Sequence, residues 1–263
     1  MGTRQAAARV GLTTRGPRKR RKATAAVGDR GALARPLDTL VFLLPWVLFY
    51  QVALIIAPPA GSLGSPDRVV AIGLLEVFFQ LFGTTAVIMP GLAVVIILLC
   101  THLASRESWR VDKRSILRMY VESIVLALPL LLVNHILNGS VRFIGLSGIA
   151  ERHWLADVTL SIGAGIYEEL VFRLVLISVL VIIGADLLRL PHEATTLAAV
   201  LVAAALFAAH HHRPMGSEDF TLYRFVFRTM AGVYLGAVFV FRGYGPAAGL
   251  HIAYNLLAVA TTA

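Results

Sequence analysis

Long apolar runs separated by short polar breaks dominate this chain. Strongly hydrophobic stretches cover residues 39–57, 86–103, 116–137, 158–183, 194–210, 223–241 and 246–263. About 20 apolar residues suffice for a helix to cross a bilayer, so these seven runs predict transmembrane helices. An eighth run, 69–82, is shorter and carries Glu76 and Gln80. At 1.5 Å per residue it is roughly 21 Å long, which predicts a short non-spanning helix. The expected fold class is therefore all-α: a polytopic helical membrane protein of about seven transmembrane helices plus one short non-spanning helix.

Composition agrees with that pattern. The chain is 57% hydrophobic and 15% charged, with a mean hydropathy of +0.76. A soluble domain is nearer half apolar and a quarter charged. The net charge of +9 is local, since residues 1–35 hold ten Lys or Arg and one acid, Asp29. The cluster Arg18-Lys19-Arg20-Arg21-Lys22 has the composition of a nucleic-acid or localisation signal, but it flanks the first apolar run. It reads instead as a positive-inside flank, with no nucleic-acid partner. Two domains follow: a disordered basic cytoplasmic tail, 1–36, and a membrane domain, 37–263. Five further basic residues lie between 102 and 118. They share a side with the tail only if two spans separate them, which supports the non-spanning reading of 69–82. The expected location is an integral protein of the cell membrane with its N-terminus cytoplasmic. The one cysteine, Cys100, excludes a disulfide framework or a cysteine zinc site within the chain and is expected to be a buried thiol.

Three runs carry polar groups where a spanning helix should have none. The fourth holds Glu168, Glu169 and Arg173; the fifth ends in His210-His211-His212; the seventh holds His251 and Asn255. A charge at bilayer depth costs roughly 2.5–3.5 kcal/mol on insertion scales, so such groups normally face one another and mark function. Residues four apart share a helix face, so Glu169 can pair with Arg173 while Glu168 points about 100° away. His251 and Asn255 likewise share a face. A carboxylate with two imidazoles from neighbouring helices is a set that can activate water, with or without a metal. Glu122, Arg224 and Arg228 read as structural or interfacial charges. The spacing Gly232-xxx-Gly236 permits close helix approach.

These residues form three motifs in order: Glu168-Glu169-Leu170-Val171-Phe172-Arg173 fits EExxxR, Phe207 to His211 fits FxxxH, and His251 to Asn255 fits HxxxN. The set, each motif on its own apolar run, resembles the CPBP family of intramembrane proteases, also called the Abi or CAAX-protease family. The resemblance covers residues 116–263. It implies an intramembrane endopeptidase, a hydrolase acting on a membrane-associated peptide or protein. Glu168 would activate water, with Glu169 and Arg173 as its supporting pair. His211 and His251 would complete the centre, and Asn255 would position water or the oxyanion. Leu206 to His210 has the same spacing as Phe207 to His211, so helix-face geometry must choose between the two histidines. Metal use is open: His211 and His251 would be the ligands of a zinc ion if one is used, but no HExxH motif is present. The rival readings are a proton-coupled transporter or channel and a catalytically silent immunity or scaffold protein.

Overall fold

The computed structural model describes residues 33–56, 89–138, 154–216 and 218–261. Among the described residues seven helices form: α1 (Pro36–Ile56), α2 (Met89–Ser105), α3 (Lys113–Asn138), α4 (Trp154–Leu187), α5 (His192–Ala209), α6 (Leu222–Arg242) and α7 (Tyr244–Thr261). They stand at the seven predicted runs, and among the described residues no strand joins them. The expected non-spanning helix at 69–82 and most of the basic tail lie outside the described residues.

Five of the helices (α1, α3, α4, α5 and α6) are long and apolar enough to cross a membrane. The other two fall short for different reasons. The α2 helix has only 17 residues. The α7 helix runs through the centre of the bundle, against α1, α3, α4 and α6. Its Ala247, Ala248, Leu250, Ile252 and Ala258 are buried against protein, so it needs little lipid-facing hydrophobicity. Lipid-facing positions show the opposite pattern. Leu48, Ile55, Leu117, Leu128, Leu132 and Leu197 are large, apolar and exposed, as the outer surface of a membrane bundle requires. Cys100 also faces outward rather than into the core. The α2 helix buries the stripe Pro90, Gly91, Val94, Leu98 and His102, and Cys100 lies off it.

Arg35, the last basic residue before α1, meets the α2–α3 turn at one end of the bundle. Arg35, just before α1, donates from Nε to Glu107 Oε2 at 2.7 Å and from Nη2 to the Ser108 carbonyl at 2.7 Å. The Glu107 bond is the main cause that raises the Arg35 pKa above its ordinary value. Asp38 Oδ1 accepts from the Asp112 amide at 2.9 Å, and Ala34 N donates to the Arg242 carbonyl at 3.0 Å. The start of α1, the α2–α3 turn and the end of α6 are thereby tied together. His102, in the last turn of α2, belongs to this corner. It is buried in α2 and stands edge-on to Trp109 at 4.5 Å. Glu122 makes a two-pronged bond to Arg242 Nη2, at 2.7 and 2.8 Å, which links α3 to α6.

Two glycines let the functional helices approach. A Cβ on Gly165 of α4 would stand 2.7 Å from the Ile252 amide nitrogen of α7. One on Gly232 of α6 would stand 3.0 Å from Ala204 Cα and Cβ of α5. Small residues at such crossings bring backbones into van der Waals contact, the main attraction available between helices in lipid. The Gly232-xxx-Gly236 spacing is therefore used, with Gly236 packed on Val200. Gly232→Val should push α5 off α6 and destabilise the protein by about 1–3 kcal/mol. Thermal unfolding in detergent reads this, and an unchanged transition would show that the crossing is not close-packed.

Candidate active site

Halfway along α4 the winding changes. The helix is regular to Glu169, then π-helical over Leu170–Ile177 and again over Ile182–Leu187. Such widened turns concentrate at functional sites because they re-aim side chains. Glu168, Glu169 and Arg173 lie at this junction, and all three are buried.

Glu169 is fully enclosed. Its Oε1 stands 2.9 Å from Arg173 Nη1, as the four-residue spacing predicts, and 2.8 Å from His251 Nδ1 of α7. Arg173 reaches further: Nη2 donates to the Gly232 carbonyl of α6 at 3.3 Å, and the guanidinium lies 4.3 Å above the Phe207 ring of α5. A cation desolvated against an aromatic face gains about 2 kcal/mol or more. One arginine thus connects the glutamates to α5 and α6.

Glu168 turns the other way, toward imidazoles. Its Oε1 is 3.9 Å from Nε2 of both His210 and His211, and its Oε2 is 3.8 Å from His251 Nε2. None of these is a hydrogen-bond distance. The opposite ring nitrogens explain the orientation. His210 Nδ1 and His211 Nδ1 lie 2.6 and 2.8 Å from the Phe207 carbonyl. A carbonyl oxygen only accepts, so each Nδ1 carries the proton. In a neutral ring the Nε2 lone pair then faces Glu168. His251 is set the same way by the Glu169 carboxylate. Three imidazole nitrogens and a carboxylate, all acceptors, therefore surround one gap. A set of acceptors like this suits a water that donates or a cation. His210 Nε2 is buried and has no hydrogen-bond partner among the described residues, which marks the same point.

Residues 150–257 match the family model described as type II CAAX prenyl endopeptidase Rce1-like. This part of the chain is similar to the CAAX-protease family. No curated protein and no solved structure matches significantly. The matched segment runs from the start of α4 into α7 and contains all three motifs.

The choice between His210 and His211 does not arise as posed. Because α5 ends at Ala209 and the chain turns tightly, both rings reach Glu168. They differ in access: the His211 side chain is 22% exposed, that of His210 only 4%. The donor atoms that converge as metal ligands do are those of Glu168, His210 and His211, all within 4.8 Å of one another. His251, expected as a ligand together with His211, also turns its Nε2 toward Glu168, at 3.8 Å, while Glu169 holds its Nδ1. Asn255 shares the His251 face, yet its Nδ2 donates to the Ser161 carbonyl at 3.4 Å, two helical turns before Glu168. Sequence reading missed how much Phe207 carries: its carbonyl sets two imidazoles and its ring holds Arg173. The literal FxxxH match contained that signal.

Glu169 and Arg173 form a buried pair, and removing one partner from such a pair costs about 3–5 kcal/mol. Arg173→Leu should lower stability by that amount, whereas Arg173→Leu with Glu169→Gln should lower it less. Unfolding of Arg173→Leu, Glu169→Gln and the double variant in detergent tests this, and simple additivity of the two single losses would contradict the pairing.

Proposed function

We propose that the protein is an intramembrane endopeptidase that hydrolyses a peptide bond in a membrane-associated peptide or protein, with Glu168 as the base. One observation carries the reading: three imidazole Nε2 atoms face the Glu168 carboxylate across a gap of 3.8–3.9 Å. A water held there gives one hydrogen to Glu168 and the other to an Nε2. Glu168 takes the proton as the water oxygen bonds to the scissile carbonyl carbon. The carbon–nitrogen bond then breaks, and Glu168 returns the proton to the leaving amine. His211, the more accessible ring, orients the water on the open side. His210 and His251 complete the cage. Glu169 and Arg173 hold His251 and Phe207 in place and so act through them. Asn255 ties α7 to α4 and sets the rotation that aims His251.

The residues also fit a divalent cation. Glu168, His210 and His211 are the donor set of a zinc site with an open position, and the orphaned His210 Nε2 is such a ligand atom. A bound ion would polarise the scissile carbonyl as a Lewis acid. By the positive-inside rule, the basic charge of the tail and of the α2–α3 turn supports an N-terminus on the cytoplasmic side of the cell membrane.

Glu168→Gln keeps the size and removes the base. In proteoliposomes with a quenched fluorescent peptide library, it should lower cleavage by at least about 10²-fold while leaving membrane insertion intact. Parent-level cleavage by this variant, or proton flux without any cleavage by the parent, would overturn the proposal.

A further inference from the structure

We propose that the Glu218–Arg228 ion pair positions the imidazoles of His210 and His211 by fastening the turn that carries them to α6. The proposal rests on the peptidase reading for its consequence in catalysis, but not for its structural content.

Glu218 holds the turn in two ways at once. Its main chain closes the loop onto the histidines: the Glu218 amide donates to the His211 carbonyl at 3.3 Å, and the Arg213 amide donates to the Glu218 carbonyl at 2.9 Å. Its side chain leaves the loop for α6. Arg228 Nη1 donates to Oε2 at 2.7 Å and Nη2 to Oε1 at 2.6 Å, a two-pronged fork on a largely enclosed carboxylate. Arg224 Nη1 stands 3.8 Å from the same carboxylate. The two arginines expected as interfacial anchors therefore converge on a loop acid. Beneath the fork, His212 is buried with its ring 5.2 Å from Phe220 and 6.3 Å from Phe225.

The histidines need this support because α5 ends before them. Ala209 is the last helical residue, so His210 and His211 have no following helical turn to fix their backbone. Their Nδ1 atoms share one hydrogen-bond acceptor, the Phe207 carbonyl. A small rotation of the turn would release one Nδ1 proton from that carbonyl and turn its Nε2 off Glu168. Planar two-pronged bonds fix orientation as well as distance, which a single contact does not. The exposed pair Arg213–Asp219 in the same loop has no such link to α6 and supplies the control.

The test uses the full-length protein in lipid nanodiscs with ¹⁵N-labelled histidine. In the parent, His210 and His211 should give signals of the Nδ1–H tautomer. In Glu218→Gln these should become mixed, and kcat on the peptide library should fall about 10–100-fold with KM nearly constant, as for a misplaced catalytic group. The exchanged pair Glu218→Arg with Arg228→Glu should restore both readouts, and Arg213→Gln should change neither. If Glu218→Gln does not fold, Arg228→Lys keeps the charge but not the fork, and should show the same tautomer mixing in milder form. Unchanged tautomers in Glu218→Gln, or no rescue by the exchange, would overturn the positioning role. Tautomer mixing without cleavage by any form, parent included, would support the clamp and remove the peptidase reading instead.

Discussion

The arrangement depends on how one enclosed carboxylate is neutralised. Glu169 has no access to solvent, and an unpaired charge there would cost several kcal/mol. Arg173 from its own helix and His251 from α7 share its Oε1. This requirement fixes the rotation of α4 against α7, since only one face of each helix brings the three groups together. With Glu169 committed inward, the neighbouring Glu168 must point to the next face, where α5 ends. The division between a paired carboxylate and a poised one follows from adjacency on a helix.

Phe207 extends the same constraint to α5. Its ring lies beneath Arg173, and its carbonyl lies beneath both histidines. The cation that neutralises Glu169 therefore also locates the helix end that aims imidazoles at Glu168. Gly232 contributes from α6, where the absent side chain lets α5 approach and its carbonyl accepts from Arg173. Four helices thus meet through a few groups. The central α7 can be small-residue-rich and polar because α1, α3, α4 and α6 pack against it. In a membrane, such packing and polar contacts replace the hydrophobic drive between helices.

Much of this was legible before any fold was known. Apolar length marked all seven described helices, because a bilayer imposes a minimum run that soluble cores do not. Four-residue spacing anticipated the Glu169–Arg173 pair and the divergence of Glu168. The cost of charge in hydrocarbon implied that the polar residues of three helices meet. Other details were not legible. That both His210 and His211 reach Glu168 depends on where α5 ends, which helical period alone does not mark. That Asn255 bonds to Ser161, and that Arg228 serves Glu218 rather than the interface, depends on neighbours far away in sequence. Cys100 lies off the one stripe that α2 buries, a fact set by where α1 packs.

The chain by itself determined the class of molecule, its helical spans and the membership of the polar cluster, because these follow from local hydrophobicity and from penalties that each residue meets alone. Only the tertiary structure decided which oxygen faces which nitrogen. Rotation of α4 against α7, the change of winding at Glu169 and the tight turn after Ala209 depend on packing between helices, and no periodicity along a single segment encodes the angle at which two segments cross.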